Sequence, residues 1–410
     1  MGDGTSGVLI QHPQLEQGLV ATDYIETTAT TGKAGLLENT PRLDYSGGAT
    51  CPALLLEPQR SNLITQSEYL NGISWNGKIG TSFDTNTTTS PEGLGNSALL
   101  KENSSNGSHF AYKDFNLTSG STYTISIFAK SNGANRNLRF GDGGVGWSSG
   151  FNGVFNLTDG TATGGDIESM GDGWYRCSVT GTTNATTSRL IIYSTLGTAT
   201  SYQGDDSSGV FLYGFQIELG SYISSYIPNH SGGTITRGAD VCGGAGDAST
   251  FNDSEGVLYA EISALANDGT NRRITISDGG FNNSVQLYYY PISNRVRASV
   301  TSGGITSIDA TAALSDATNY HKIAIRYKTN DFSLWVDGVE VGTDTSGNAP
   351  SGLDELAFND AGGSNFYGNV KQVLVFNTAL SDTDCEILTG ATTYETFEEM
   401  ALALNYTVYE

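Results

Sequence analysis

The chain has few basic side chains. Its 410 residues include 20 Lys and Arg against 43 Asp and Glu, which gives a formal net charge of −23. Because nucleic acids are bound through clustered Lys and Arg that neutralise phosphates, this balance argues against a nucleic-acid partner. It argues equally against binding to an anionic membrane surface. We interpret the acidity as a means of keeping a Tyr-rich chain soluble and of discouraging pairing between exposed strand edges.

Long apolar runs are also missing. No run approaches the roughly 18 apolar residues of a membrane-spanning helix, so no membrane insertion is predicted. The opening segment, MGDGTSGVLIQHPQ, has neither the basic nor the apolar region of a signal peptide. The four cysteines lie far apart, at Cys51, Cys177, Cys242 and Cys385. This spacing predicts free, mostly buried thiols in a protein that is assembled in a reducing cytoplasm.

Residue patterns of common catalytic sites do not occur in the sequence. The four histidines are scattered, at His12, His109, His230 and His321, and none has a zinc-type spacing. The nucleophile elbow, the phosphate-binding loop and the Cys-x-x-Cys motif are all missing. A glycosidase needs two carboxylates across a cleft, and no strand carries the Glu-x-Asp-x-x-Glu pattern. We therefore predict that the protein is not an enzyme and holds no cofactor.

Glycine, Thr, Ser, Asn and Tyr are abundant instead, with 53 glycines in the chain. This composition favours short twisted strands and many turns over helices. Strict alternation predicts strands at Tyr123–Ala129 and Val210–Leu219, and Asp337-Gly338 predicts a hairpin. Short helices are predicted only near the end of the chain, after the capping boxes that begin at Ser381 and Thr396. The predicted fold class is all-β, with two tandem antiparallel β-sandwiches, an N-terminal arm and a short C-terminal helix.

Shifts in composition divide the chain into five segments. They are an N-terminal arm or docking segment (1–59), a first sandwich (60–228), a Gly-rich hinge (229–250), a second sandwich (251–390), and an amphipathic helix with a tail (391–410). The arm holds too little apolar material for a core of its own, so we expect it to dock on a neighbouring domain or subunit. Within it, Ala53–Leu56 is predicted to be a short buried strand between Pro52 and Pro58.

Five segments of the first sandwich occur in a characteristic order along about 165 residues. They are NLITQSEYLNGISW (62–75), SPEGLGNSALLKENSSNGSHFAY (90–112), STYTISIFAK (121–130), GDGWYRCSVTG (171–181) and GVFLYGFQIELGSYISSYIP (209–228). Together they resemble the carbohydrate-binding-module jelly rolls of bacteriophage tail proteins. In the second sandwich, KIAIRYKTNDFSLWVDGVEV (322–341) followed by FYGNVKQVLVFNTALSDTDCEIL (366–388) resembles the concanavalin A-like and laminin G-like lectin superfamily.

The resemblance implies a non-enzymatic phage virion protein of the tail-fibre or adhesin type. Such a protein recognises or attaches to a host-surface polysaccharide, contacts other virion proteins, forms a homotrimer, and is located in the virion after assembly in the host cytoplasm. Two alternatives remain open. One is a purely structural virion or head-decoration protein that binds no glycan. The other is a secreted bacterial adhesin or an accessory carbohydrate-binding protein.

Sugar binding uses aromatic rings that stack on the apolar face of a pyranose, with polar side chains for the hydroxyl groups. Trp147 lies in the Gly-rich loop GDGGVGWSSGFNG and is the first candidate for such a ring, with local packing as the alternative. Asn135, Arg139 and Asp142 are the candidates for contact with hydroxyl groups. We expect the Trp147 ring to lie outside the core.

The second sandwich offers three aromatic surface candidates. Tyr288 and Tyr290 alternate on one predicted strand, in the sequence Tyr288-Tyr289-Tyr290, so at least one aromatic of this run is expected at the surface or at a subunit contact. Trp335 faces away from its neighbours Leu334 and Val336, which places it at the surface or at a sheet interface.

Calcium is the one metal that the resemblance suggests as a ligand. Carbohydrate-binding jelly rolls often hold a structural calcium with acidic residues of the last strand, but this chain has Tyr213-Gly214-Phe215 at that place. Asp205-Asp206 and Asp278-Gly279-Gly280 offer oxygen ligands, although each is more typical of an ordinary loop. A calcium site is therefore possible but is not supported by a motif.

Overall fold

The computed structural model describes residues 41–46, 51–133, 135–148, 151–230, 232–360, 363–390 and 397–404. These residues belong to two compact units. Gln59–Gly238 forms the first unit, and the second combines the residues from Ala239 onward with the segment that ends at Pro58. Within the described residues, the chain passes between the units after Pro58 and after Gly238.

Strands make up most of both units. Up to Arg237 they are β1 (Leu43–Asp44), β2 (Ala53–Leu56), β3 (Arg60–Asn62), β4 (Gly77–Ile79), β5 (Thr81–Thr85), β6 (Ala98–Glu102), β7 (Asn106–Asn116), β8 (Thr122–Asn132), β9 (Arg136–Gly141), β10 (Gly153–Asn156), β11 (Thr161–Thr163), β12 (Asp166–Gly171), β13 (Trp174–Thr182), β14 (Thr187–Leu196), β15 (Ser201–Gln203), β16 (Gly209–Leu219) and β17 (Ile235–Arg237). A short 3₁₀ turn occupies Leu70–Gly72.

The remaining elements follow Arg237. They are β18 (Glu255–Ala264), β19 (Arg272–Ser277), β20 (Ser284–Tyr289), β21 (Arg295–Ser302), β22 (Ile305–Ala313), β23 (His321–Lys328), β24 (Asp331–Val336), β25 (Val339–Asp344), β26 (Glu355–Ala357), β27 (Gly368–Phe376), α1 (Asp382–Thr389) and α2 (Phe397–Ala403). None of the helices in the described ranges is long and apolar enough to cross a membrane.

The first unit is a sandwich of two antiparallel sheets. Sheet I has the strand order β11-β10-β9-β14-β7-β15, with β4 also paired to β7, and sheet II has the order β12-β13-β8-β16-β6-β5. Alternation directs one side of each strand into a shared core. Ile125 and Ile127 of β8 lie in this core with Leu138 and Phe140 of β9 and are fully buried. The strands predicted from alternation at Tyr123–Ala129 and Val210–Leu219 are confirmed as parts of β8 and β16.

The second unit is also a two-sheet sandwich. Sheet III has the order β1-β2-β27-β18-β23-β24-β25, and sheet IV has the order β22-β21-β20-β19-β26. Apolar residues from both sheets, such as Leu258, Ile276, Leu287 and Ile325, form its fully buried core. The predicted hairpin at Asp337-Gly338 joins β24 to β25, and both residues have positive φ, as such a turn requires. The all-β class with two antiparallel sandwiches is confirmed.

The amino-terminal segment supplies two strands to sheet III. Strand β2 pairs with β27, and β1 pairs with β2. Arg42 forms ion pairs with Glu57 and Asp240, and the Asp240 N–H donates to the Glu57 carbonyl oxygen at 2.9 Å. The predicted buried strand at Ala53–Leu56 is therefore present, and its partner is the second sandwich of the same chain.

The Gly-rich segment at 229–250 makes regular contacts within the described residues. Its β17 pairs with β3 in a two-stranded sheet of the first unit. Further along, the Phe358 N–H donates to the Cys242 carbonyl oxygen at 2.9 Å, and Ala245 forms an isolated bridge with Leu356. A Gly-rich composition predicts a flexible linker. The composition of a segment does not show which distant strands the segment pairs with.

The two helices cover the outer side of sheet III. Ser381 caps α1 by accepting a hydrogen bond from the Asp384 N–H, as the sequence predicts. Leu388 of α1 and Met400 of α2 pack with Tyr259 and Trp335 in a second apolar cluster. The predicted capping residue Thr396 lies outside the described residues.

All four cysteines are free thiols, as predicted. Cys177 and Cys385 are buried, whereas Cys242 is half-buried and Cys51 is exposed. Burial raises the pKa of the Cys385 thiol to about 12, so this thiol is unreactive near neutral pH.

Candidate functional site

Trp147 belongs to the core of the first sandwich. Its side chain is 6% exposed and stacks on Phe151, with the ring centroids 4.0 Å apart. The indole N–H donates to the Arg189 carbonyl oxygen at 2.7 Å. The expectation that this ring lies outside the core is wrong, because the Gly-rich loop folds back so that the ring fills a gap beside Phe151. A ring buried in this way has no free face for a sugar.

The three polar candidates that accompany Trp147 in the sequence do not form one group. Asn135 is exposed in the turn before β9, where its φ of 61° is positive. Arg139 lies near the other end of β9, and its guanidinium is 5.9 Å from the centre of the Tyr193 ring. Asp142 follows β9 and accepts a hydrogen bond from the Gly144 N–H at 2.9 Å. Arg139 and Asp142 therefore share the neighbourhood of Tyr193, whereas Asn135 lies at the opposite end of the strand.

Tyr193 belongs to a surface that we call the Tyr-Arg face, on the side of sheet I that points away from the core. Strands β7, β14 and β9 are adjacent there, and their residues meet in directly opposed rows. The first row is Phe110–Tyr193–Arg139, the second is Tyr112–Ile191–Gly141, and the third is Asp114–Arg189. Alternate residues of one strand share a side of the sheet, so the rows form one continuous surface.

Three aromatic rings dominate this face. Phe110, Tyr112 and Tyr193 are all half-buried, and the Phe110 and Tyr193 ring centroids are 5.0 Å apart. Two rings lean over glycines of neighbouring strands. A Cβ atom at Gly77 would lie 2.3 Å from the Tyr112 ring, and one at Gly141 would lie 3.2 Å from the Tyr193 ring. The missing side chains thus let both rings lie low across the sheet.

The charged groups of the Tyr-Arg face differ in how they are paired. Arg189 forms two hydrogen bonds with the Asp114 carboxylate, at 2.7 and 2.9 Å, and its guanidinium is 4.4 Å from the Tyr112 ring centre. This pairing raises the pKa of Arg189 and lowers the pKa of Asp114. Arg139 has no such carboxylate partner among the described residues. Burial raises the pKa of Tyr193, and the charge of Arg139 opposes that shift.

The Tyr288 and Tyr290 candidates lie on sheet IV of the second sandwich. Tyr288 is 3% exposed, because the guanidinium groups of Arg273 and Arg297 lie 4.2 and 5.8 Å from its ring centre. Arg297 is in turn paired with Asp309. Tyr290 is half-buried, with Arg297 4.8 Å from its ring centre. The prediction of a surface aromatic therefore fits Tyr290 and is wrong for Tyr288.

Trp335 lies on the other sheet of that sandwich. It is 6% exposed and packs beneath the two helices with Leu380, Cys385 and Met400. Its indole N–H donates to Ser333 Oγ at 2.9 Å. Of the two positions that the sequence leaves open, the surface is wrong for Trp335, because its ring lies at an interface between sheet III and the two helices. It therefore cannot share a site with Tyr290.

The acidic loops are engaged in their own hydrogen bonds. Asp205 accepts from the N–H groups of Ser207 and Ser208, and Asp278 accepts from the Gly280 N–H and from the Asn283 side chain. Within the described ranges, no three or more His, Cys, Asp or Glu side chains are placed to hold a metal ion.

A small cavity of about 10 Å³ lies in the second sandwich. Arg272, Tyr289 and Tyr290 line it, together with Asn294 and Arg295. Arg272 is paired with Asp268, at 2.8 Å, so its charge is already compensated. This cavity is much smaller than the roughly 300–1,000 Å³ of typical ligand pockets.

Comparison with protein families matches residues 258–385 to the concanavalin A-like lectin/glucanases superfamily, through a laminin G-type model. The matched region lies within the second sandwich, so the resemblance of that sandwich to this superfamily is confirmed. No curated protein sequence matches the chain.

Solved structures show only distant similarity. The CBM40 domain of the Ruminococcus gnavus IT-sialidase is 16% identical, and the match covers 36% of this chain and 94% of that domain, with a TM-score of 0.30. Domains LG4-5 of the mouse laminin alpha1 chain are 13% identical over 68% of this chain and 90% of that one, with a TM-score of 0.26. These values are too low to transfer a function.

Sequence reasoning missed the aromatic rows of the Tyr-Arg face. The signal for them was present, because Phe110, Tyr112 and Asp114 alternate along one strand and Arg189 and Tyr193 do so along another. Alternation separates the two sides of each strand but does not show which strands are adjacent. Only the pairing of β7 with β14, and of β14 with β9, brings these residues together.

Proposed function

We propose that this protein is a non-enzymatic binding protein that recognises a glycan on the Tyr-Arg face of its first sandwich. The observation that carries the proposal is the set of directly opposed rows, in which three half-buried rings lie beside guanidinium and carboxylate groups. A surface of this kind combines apolar and polar contacts over several strands.

Glycans match this combination chemically. One side of a pyranose ring exposes C–H groups that pack against an aromatic face, as Tyr112 and Tyr193 offer. The hydroxyl groups around the ring need donors and acceptors, which Arg139, Arg189 and Asp114 supply. Tyr193 is the better placed of the two rings, because the Arg189 guanidinium already lies over the Tyr112 ring, 4.4 Å from its centre.

The setting that we propose is the surface of a phage virion, where the chain acts in host attachment as a tail fibre or adhesin. Its partners there are the host-surface polysaccharide and other virion proteins, and it forms a homotrimer. The support for this setting is the resemblance of the first-sandwich segments to phage tail proteins. Its direct test is whether purified virions contain the chain.

The test of glycan binding is a glycan array that includes host-surface polysaccharides, followed by titration of the best-binding glycan. Replacing Tyr193 by Ala removes the ring at the centre of the first row. We expect this change to weaken binding about 5- to 150-fold, which corresponds to the loss of about 1–3 kcal/mol of burial and stacking. Circular dichroism should show an unchanged fold, because Tyr193 is half-buried and points away from the core.

Phe211→Ala is the matched control. Phe211 is also a half-buried aromatic residue of the first sandwich, but it lies on β16 of sheet II. The control should bind like the wild type. Equal weakening by both substitutions, or no weakening by Tyr193→Ala, would contradict the proposed site. Absence of binding to every glycan, by a folded protein, would favour the purely structural role.

A further inference from the structure

Most arginines of the two sandwiches already have a carboxylate partner. Arg136 is paired with Glu102, Arg189 with Asp114, Arg272 with Asp268, and Arg297 with Asp309. In a chain with 43 acidic and 20 basic residues, such pairing is expected, since acidic partners are abundant. A half-buried arginine without a carboxylate partner therefore needs an explanation, whereas an exposed one is solvated by water.

Arg139 is such an arginine. It is half-buried on the Tyr-Arg face, and its Nε is a buried donor without an acceptor. Within the described ranges, no carboxylate forms an ion pair with the Arg139 guanidinium. The centre of the Tyr193 ring lies 5.9 Å from this guanidinium. This buried Nε is out of reach of a ligand on the surface, so the remaining N–H groups of the guanidinium are the donors that can meet an acceptor of a ligand.

The chemistry of guanidinium defines this acceptor. A planar guanidinium offers parallel N–H donors that match the two oxygens of a carboxylate, with charge-assisted hydrogen bonds about twice as strong as neutral ones. The adjacent Tyr193 ring provides the apolar surface for the sugar that carries the carboxylate. Arg189 cannot serve in the same way, because Asp114 already occupies its parallel Nε–H and Nη2–H donors and compensates its charge.

We propose that the Tyr-Arg face selects an acidic glycan, in which Arg139 binds the carboxylate of a uronic acid or a similar acidic sugar while its ring packs on Tyr193. This inference rests on the proposed glycan-binding function and specifies the class of sugar. It also accounts for a half-buried arginine that no carboxylate pairs within the described residues of a protein whose formal charge is −23.

The experiment compares two probes by titration calorimetry on the full chain. One probe is a uronic-acid oligosaccharide, and the other is the same oligosaccharide after chemical reduction of its carboxylates to alcohols. We expect the wild type to bind the acidic probe about 10- to 100-fold more tightly, as charge-assisted hydrogen bonds imply. Arg139→Gln should remove this preference, because the Gln amide can still donate to a hydroxyl group but carries no charge for a carboxylate. Arg139→Lys should restore only part of it, because Lys lacks the paired donors.

Arg295→Gln is the control with the same change in net charge. Arg295 is an exposed residue of the second sandwich, so its replacement should alter neither affinity. Equal binding of the two probes by the wild type would overturn the acidic-glycan proposal and leave glycan binding intact. A loss of both affinities in Arg139→Gln would also overturn it, since it would show general rather than charge-selective contact. Wild-type protein that binds neither probe, nor any glycan on the array, would overturn the proposed function as well.

A sulfated oligosaccharide of equal length serves as a third probe. The carboxylate proposal predicts weaker binding of this probe than of the uronic-acid probe, because a sulfate ester is a weaker base than a carboxylate and therefore a weaker hydrogen-bond acceptor. Stronger binding of the sulfated probe would contradict the carboxylate assignment.

Discussion

At the scale of single residues, Trp147 and Arg139 show what a sequence can and cannot reveal. Both are candidates for glycan contact that the sequence offers in and just before one Gly-rich loop. Arg139 does lie on an aromatic face, whereas Trp147 is held in the core by Phe151 and by the Arg189 carbonyl oxygen. Glycine next to Trp147 indicates a flexible loop, and nothing local in the sequence shows that the loop packs inward on strand β14.

Burial of Trp147 leads to a stability prediction. Trp147→Ala should lower the free energy of unfolding of the first sandwich by about 3–5 kcal/mol, because it leaves a cavity next to Phe151 and breaks the indole hydrogen bond. Urea unfolding measures this change when it is followed by far-ultraviolet circular dichroism, whose backbone signal does not depend on tryptophan fluorescence. Stability equal to that of the wild type would show that the ring is not part of the core.

His321 carries a pH-dependent interaction in the second sandwich. Its Nδ1 is 2.6 Å from Asp337 Oδ2 and its Nε2 is 2.9 Å from the Asp316 carbonyl oxygen, so the doubly protonated ring satisfies both acceptors. The hydrogen bond with Asp337 raises the pKa of His321 above its ordinary value of 6.5, although burial opposes the shift.

A raised pKa means that protonation of His321 stabilises the folded state. This contribution is fully present below about pH 6.5 and is lost as the pH rises through the higher folded pKa. We expect the free energy of unfolding of the wild type to fall as the pH rises above about 6.5, and Asp337→Asn to reduce that fall. Asn tolerates the positive φ of 48° at this position, so the hairpin is retained. Identical pH profiles of the two proteins would contradict the interaction.

At the scale of elements, alternation and capping patterns correctly predict strands and helices whose signal lies within one short segment of the sequence. Strands β8 and β16 and helix α1 occur where the sequence predicts them. The strand at Ala53–Leu56 was also recognised, but its partner β27 lies more than three hundred residues away in the chain. Apolar runs show that a segment is buried and do not identify the sheet that it joins.

The docking of β2 leads to a prediction about Arg42. This residue is 8% exposed between the carboxylates of Glu57 and Asp240, so Arg42→Met leaves two acidic groups without their cation. We expect a loss of about 3–5 kcal/mol in the stability of the second sandwich. The double variant Arg42→Met/Glu57→Gln should recover part of that loss in chemical unfolding.

The control for this prediction is the exposed Arg295. Arg295→Met should change the unfolding free energy by less than about 0.5 kcal/mol. An equally small effect of Arg42→Met would mean that the amino-terminal segment contributes little to the sandwich it joins.

At the scale of the whole molecule, composition alone established the all-β class and argued against nucleic acid as a partner. The family match at 258–385 supports the resemblance of the second sandwich to lectin-like domains. The candidate site could not be found at this scale, because it depends on the register of three strands whose residues are far apart in sequence. Phe110, Tyr193 and Arg139 become neighbours only through that register.

The central claim is that the Tyr-Arg face binds the glycan, and a crystal structure of the full chain with the best-binding array glycan tests it most directly. The account predicts a sugar ring packed on Tyr193 or Tyr112, with a polar group of the sugar within hydrogen-bond distance of Arg139. A glycan bound instead at the cavity beside Tyr290, or on sheet II, with the Tyr-Arg face free of ligand, would contradict it.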